Sequence, residues 1–291
     1  MTVSPHNDAL QVVVITGASD GIGAEMARQL AQRHGAGLAL VLAARSLAGL
    51  QSTAEHCQGL GAQCLVVVTD VSVQDQCRAL IAQAVEHFGH IDTLVNNAGV
   101  SAQALLQDVA ADDLQWYERL MQINLWGSVW CTHAALPYLK ARKGRIVAVS
   151  SLAGLIGVPG RTAYSASKFA MTGFFEALRA ELVHAGVSVT VAYPGVVLTQ
   201  IRYHGYNAKG ERAGHSGLRE DGAMAVGHCV RLIVTGMQDR QREVVQIQGH
   251  QYSDGTIRRT ISALAELEGI DAAAAGRCSV VNYRTAALIR G

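Results

Sequence analysis

Residues 11–23 read QVVVITGASDGIG, and an alanine-rich, helix-like stretch follows to residue 34. An apolar run, an abrupt glycine-dotted turn and then a helix form the opening of a parallel βαβ unit. Gly17, Gly21 and Gly23 stand at the strand-to-helix junction. Glycine there permits positive φ and lets a ligand come close to the backbone. The helix beyond presents unpaired N–H groups and a partial positive charge, a seat for a pyrophosphate. The spacing is GxxxGxG, not the GxGxxG of the commonest dinucleotide fingerprint. Three glycines in seven residues also suit an ordinary tight turn. Their place after a first apolar strand and before a helix favours the phosphate loop.

The same rhythm continues outward. Apolar runs at 11–16, 37–43, 62–68, 92–96, 144–150 and 187–193 alternate with helical patterns near 21–34, 46–58, 73–88, 112–140 and 162–185. Residues 221–237 predict another helix and 243–248 a seventh strand. Parallel neighbours need crossovers, nearly all right-handed. The expected fold is therefore α/β: a doubly wound parallel sheet of about seven strands with helices on both faces. One dinucleotide-binding catalytic domain should span residues 1–250. Two regions break the rhythm. The polar, glycine-dotted stretch 199–222 predicts a mobile flap whose Tyr203 and Tyr206 close on an apolar ligand. Residues 251–291 form a C-terminal extension with a helical pattern at 256–268, expected to pack on the domain or a partner subunit.

Composition agrees with this layering. Of 291 residues 49% are hydrophobic and 16% charged, which suits parallel strands covered on both faces and excludes disorder. The length is short for two independent domains. A net charge of +1 gives no support to nucleic-acid or anionic-membrane binding. The start, MTVSPHNDAL, lacks a basic and an apolar region, and the longest apolar run, 36–44, is about half a membrane span. A cytoplasmic protein without a membrane span is expected. The six cysteines, at 57, 64, 77, 131, 229 and 278, show no CxxC or zinc-type spacing and read as scattered reduced thiols. His87 and His90 read as a turn pair, so no metal site is expected.

Three motifs carry the chemistry: TGASDGIG at 16–23, NNAG at 96–99 and YSASK at 164–168. Eight tyrosines and four lysines in 291 residues would give about 0.1 YxxxK pair by chance. In this order and spacing the motifs make the chain resemble the short-chain dehydrogenase/reductase family over roughly residues 8–248. The resemblance implies a catalytic tetrad of Asn124 in QINLWG, Ser151 in VSSLAG, Tyr164 and Lys168, with Ser151 13 residues before Tyr164. It also implies a cofactor seat made by Gly17, Ser19, Asp20, Gly21, Ile22 and Gly23. Asp70 and Val71 would border the adenine, and Asn97, Ala98 and Gly99 would form the turn beneath the cofactor. Pro194, Gly195, Val197 and Thr199, in YPGVVLT at 193–199, resemble the turn that grips the nicotinamide carboxamide. Tyr164 and Lys168 would also meet the ribose. The YSASKFA segment is similar to that of membrane-anchored steroid and retinoid reductases of the family.

Residue chemistry supports those roles. A Tyr and a Lys four apart share one helix face. A phenol titrates near pH 10, too high for a base at neutrality, and a nearby ammonium favours the phenolate. Lys168 is thus expected to lower the Tyr164 pKa, so that Tyr164 exchanges the proton with the substrate. Ser151 would bond the substrate oxygen, and Asn124 would hold a water linking Lys168 to solvent. The hydride needs a bound cofactor, since no side chain carries one. Ala44 stands where NAD-specific sites place an acid, and Arg45 and Ser46 follow, suited to a 2′-phosphate. NADP(H) is expected, with NAD(H) as the weaker alternative. Asp20 argues the other way, because many NADP-preferring relatives carry a basic residue there.

The apolar edges 152–158 and 196–201 point to a hydrophobic ketone, aldehyde or secondary alcohol as the small-molecule substrate. The family resemblance implies a homodimer or homotetramer through the helix bearing YxxxK, to which Phe169, Phe174 and Phe175 could add an apolar face, although intrachain core is the plainer reading of the three. Two rival functions are a non-catalytic NADP sensor or scaffold and an isomerase or dehydratase that reuses the cofactor. A complete tetrad opposes the first. The glycine spacing and the lack of a large C-terminal domain oppose the second.

Overall fold

Strand β1 (Gln11–Thr16) dictates the layering. Its side chains alternate between two faces, and both faces are apolar. Val12 and Val14 enter one core, shared with helices α3 (Gln74–Phe88), α5 (Gly127–Arg142) and α6 (Thr162–Glu181). Val13 and Ile15 enter the other, shared with α1 (Gly21–His34), α2 (Leu47–Gly59) and α7 (Val226–Gln238). Burying each such side chain stabilises the fold by about 1.5–3 kcal/mol, so the sheet holds only with helices on both sides.

The computed structural model describes residues 10–215 and 223–246. The remaining strands are β2 (Leu38–Ala44), β3 (Gln63–Val68), β4 (Thr93–Asn96), β5 (Arg145–Val149), β6 (Ser188–Pro194) and β7 (Glu243–Gln246). All pair in parallel, in the order β3-β2-β1-β4-β5-β6-β7. Val13 lies opposite Leu40 on one side and Thr93 on the other. The order reverses between β1 and β4. In open sheets of this kind the crevice beyond the carboxyl ends at that point is where ligands bind.

At the opposite end of the sheet the Asp92 carboxylate accepts from Val12 N at 2.8 Å and Arg142 Nε at 2.9 Å. His90 Nε2 lies 3.1 Å from the same carboxylate and 3.0 Å from Leu10 O, while His87 stands edge-on to Phe88. The histidine pair is thus structural. Among the described residues no cluster of His, Cys, Asp and Glu could hold a metal, and no helix is long and apolar enough to cross a membrane.

Three expectations need correction. The single helix expected at 112–140 is α4 (Gln115–Met121), a π turn (Gln122–Trp126) and α5, with Pro137 inside α5. The wider turn carries Asn124, and a π turn inside an α-helix commonly marks a functional position. The described part of the expected flap, residues 199–215, is tied down. Tyr206 N donates to Ser101 O and Gln103 N to Tyr206 O, both at 2.9 Å. Tyr206 also packs on Trp116 at 5.8 Å between ring centroids, as part of a small third cluster. Finally, the three phenylalanines do not form one face: Phe175 is core, Phe174 packs against that core and Phe169 is 41% exposed. Residues 216–222 of the flap, 247–248 of the seventh strand and the 251–291 extension lie outside the described residues.

Candidate active site

The glycine loop is built by close approach. Gly17 and Gly21 have φ of 68° and 57°, a region side chains avoid. A Cβ on Gly17 would lie 2.8 Å from Asn97 Nδ2, and one on Gly23 would run into the Gly17 carbonyl. These two positions therefore admit no side chain, because the loop closes on itself and on the Asn97–Ala98 turn there. Asp20 caps α1, its Oδ1 accepting from Gly21 N at 2.7 Å.

Asn97 fastens this loop to β4. Its Nδ2 donates to Thr16 O at 2.9 Å and Gly17 O at 3.2 Å, while the Asn97 and Ala98 N–H groups donate to Thr16 Oγ1. Thr16, not singled out from the sequence, is the hub of that clip. On the other flank Ser46 caps α2 by accepting from Gly49 N at 3.2 Å. A Cβ on Gly49 would lie 2.8 Å from Ser19 O, so the first turn of α2 leans on the glycine loop. Ser19, Arg45 and Ser46 thereby share one corner.

Asp70 follows β3, beside the end of β2 through the bond from Thr69 N to Ala44 O. Its carboxylate accepts from Ser72 N and Oγ and pairs with Arg119 Nη2 at 3.2 Å. Burial alone would raise the Asp70 carboxyl; the Ser72 bonds and the charges of Arg119 and Arg45 hold it below its usual value. Val71 packs so tightly on α5 that a Cβ on Gly127 would lie 2.7 Å from Val71 O. The turn after β6 closes the crevice. Val197 bridges to Met224, and the Thr199 side chain stands 3.4 Å from where a Cβ of Gly21 would be. Ser151 Oγ donates to Pro194 O at 3.4 Å, and Gly195 follows Pro194 in the turn.

The four tetrad positions meet at this crevice. Ser150 and Ser151 divide their labour: Ser150 Oγ donates to Lys168 O at 3.2 Å and braces α6, whereas Ser151 hydrogen-bonds Tyr164. Lys168 is only 3% exposed; its Nζ donates to Val149 O at 2.9 Å and would lie 3.6 Å from a Cβ on Gly99. Burial lowers its pKa from 10.5 to about 8. Asn124 spends its whole amide on structure: Oδ1 accepts from Val100 N, and Nδ2 donates to Val100 O and Ser167 Oγ. Ser167, also missed from the sequence, in turn donates to Tyr164 O at 2.8 Å.

The charge around Tyr164 departs from expectation. Burial raises the phenol pKa, and the groups that pull it down are the Ser151 hydroxyl and the Arg161 guanidinium, not Lys168. The Lys168 ammonium is 5.9 Å from the ring centroid and directed at the Val149 carbonyl. Arg161, which no motif marked, is 5.5 Å from the same centroid.

A glycine cradle at the switch point of a doubly wound sheet marks the class of dinucleotide-binding folds. A family model described as short chain dehydrogenase matches residues 11–208. The 11-beta-hydroxysteroid dehydrogenase A of Sesamum indicum is 42% identical over 223 residues, 75% of this chain and 62% of that protein. The 11-beta-hydroxysteroid dehydrogenase 1A of Arabidopsis thaliana is 38% identical over 255 residues, 84% of this chain and 70% of that protein. The chain thus spans less than two thirds of the sesame relative and slightly more of the Arabidopsis one. Among solved structures, a short chain dehydrogenase/reductase from Burkholderia phymatum in complex with NAD superposes with a TM-score of 0.74 at 25% identity, covering 90% of this chain and 96% of that one. An alcohol dehydrogenase from Thermococcus sibiricus complexed with 5-hydroxy-NADP shares the fold, with a TM-score of 0.70 at 24% identity over 84% of this chain and 99% of that one. The chain belongs to the short-chain dehydrogenase family of oxidoreductases.

Proposed function

We propose that this chain is an NADP(H)-dependent oxidoreductase that interconverts a ketone or aldehyde with an alcohol on a hydrophobic small molecule. The observation that carries this reading is the meeting of Ser151, Tyr164 and Lys168 at the carboxyl end of the sheet, where the glycine loop also lies. The cofactor supplies or accepts the hydride. Gly17, Ile22 and Gly23 would hold its pyrophosphate, Gly99 and Lys168 its ribose, and Pro194 to Thr199 its nicotinamide side. Ser151 would bond the substrate oxygen and stabilise charge developing there. Tyr164 would take the alcohol proton in oxidation and return it in reduction. Any water relay at Asn124 would run through its backbone carbonyl, since the side chain is fully engaged.

Support for NADP(H) is the corner shared by Ser19, Arg45 and Ser46, with no acid at Ala44. Support for an apolar substrate is the exposure of Leu198 and Ile201 beside that turn, together with the hydroxysteroid names of the plant relatives. A sterol-like secondary alcohol is the substrate class to try first. The exposed Trp126, stacked at 6.0 Å on Trp130, and the exposed Phe169 would form the contact of a homo-oligomer.

The test is NADPH consumption over a panel of apolar ketones and aldehydes, with Tyr164→Phe alongside. Turnover by the wild type, loss of all but a few per cent in the variant and unchanged NADPH affinity are expected. A Phe variant that keeps its kcat refutes the proton-transfer role.

A further inference from the structure

Arg161 is the residue just before α6, and it is only 7% exposed. Its backbone is held on both sides, since its N–H donates to Val158 O at 3.0 Å and its carbonyl accepts from Ser165 N at 2.7 Å. Its Nη1 donates to Ser101 Oγ at 3.1 Å, and its Nε meets no acceptor. None of the ion pairs among the described residues includes it. A buried guanidinium without a carboxylate is costly, and such charges are normally paired. The Tyr164 ring is the group beneath it, at 5.5 Å. Arg161 stands three residues before Tyr164 and Lys168 four after it, so one helix face places a cation on either side of the phenol.

We propose that Arg161 is the built-in cation for the catalytic tyrosine, stabilising negative charge on Tyr164 from the turn before α6. The inference rests on the proposed proton-transfer role of Tyr164. Arg161 acts through the tyrosine and touches no reacting atom, so it is a positioning residue. The groups facing the pair are few. Tyr164 meets Arg161 and Lys168 on its own helix and Ser151 beyond β5. Arg161 meets Ser101 beyond β4 and feels the Arg202 charge from the segment after β6, which weakens its hold on its own proton. None of these is a carboxylate, so no described neighbour neutralises Arg161 ahead of the phenolate.

The experiment is the pH profile of kcat/KM for alcohol oxidation, with cofactor saturating, in the wild type, Arg161→Gln, Arg161→Met and Arg161→Lys. The base form of Tyr164 is needed for oxidation, so losing the cation moves the acid limb to higher pH. An upward move of about one unit is expected in Gln and Met, with return toward wild type in Lys. Arg161→Gln keeps a donor for Ser101 and serves if the Met variant does not fold. A second reading needs no turnover: phenolate absorbance of each variant against its Tyr164→Phe double should show the same shift of the Tyr164 transition. An unmoved transition overturns the proposal. So does an unmoved acid limb with KM raised only for carboxylated substrates, which would make Arg161 a substrate anchor. If Tyr164→Phe keeps its turnover while the transition shifts, the proton-transfer reading has failed and the electrostatic pairing has not.

Discussion

Lys168→Met should change how stability depends on pH, in a way set by the burial of one ammonium. In the folded chain the Lys168 pKa is lowered from 10.5 to about 8 by desolvation, and its one strong bond is to the Val149 carbonyl. Below about pH 8 the lysine is charged in both folded and unfolded states, and the fold bears the full cost of the buried ammonium. Between about 8 and 10.5 the folded lysine loses its proton while the unfolded one keeps it, so raising the pH relieves that cost. Each unit of the interval is worth about 1.4 kcal/mol, so at pH ~9.5 the wild type should have gained about 2 kcal/mol relative to its value near neutrality. The methionine variant has no such group. The quantity to measure is the unfolding free energy of wild type minus variant, by urea titration at pH 7 and 9.5. Subtracting the variant removes the other titrating groups, and the Val149 carbonyl left without a donor is an offset common to both pH values. A wild-type-minus-variant difference that stays flat across the interval would refute the account of Lys168 as a buried, depressed lysine.

The other expected outcomes are local. Arg45→Ala should weaken NADPH binding by about 10- to 100-fold, the loss of one charge-assisted phosphate contact, and NADH binding little. Equal affinity of the wild type for the two cofactors by calorimetric titration counts against the NADP assignment. Gly23→Ala puts a methyl into the Gly17 carbonyl and the Asn97 amide, so it should lower Tm and abolish cofactor binding together. Trp116→Ala empties the small cluster under residues 199–215 and removes the Nε1 bond to Ala208 O, which should cost about 3 kcal/mol and raise protease cleavage in that segment. Cleavage equal to wild type would show that the segment does not depend on Trp116.

The sheet was legible because its strands are apolar on both faces and each ends at a turn of glycine or polar residues. Observed strand and helix bounds fall within a residue or two of the apolar runs wherever that contrast is sharp, as at β1 and β2. It fails at 112–140. A π turn keeps the helical repeat on either side and shows only as one extra residue in register, a signal that the uninterrupted pattern from Trp116 to Leu139 conceals. The flap misled for a different reason. Its glycines and polar residues describe its own backbone, whereas its anchoring depends on Ser101 and Trp116, which are remote in sequence.

The tetrad and glycine loop stood out because chemistry and backbone geometry restrict those positions to few residue types. Arg161, Thr16 and Ser167 did not, because their importance comes from what the fold sets beside them. At Arg161 this matters most. Lys168 and Arg161 are both buried, and neither is paired with a carboxylate among the described ion pairs. A protein selected for stability alone would neutralise or expose such charges. Here Arg161 lies over one phenol whose own burial resists ionisation. The two penalties are complementary: in the proposed role, transferring a proton away from Tyr164 creates the anion that Arg161 lacks. In that role, the cost of burying Arg161 without a counter-ion is offset when Tyr164 ionises beneath it.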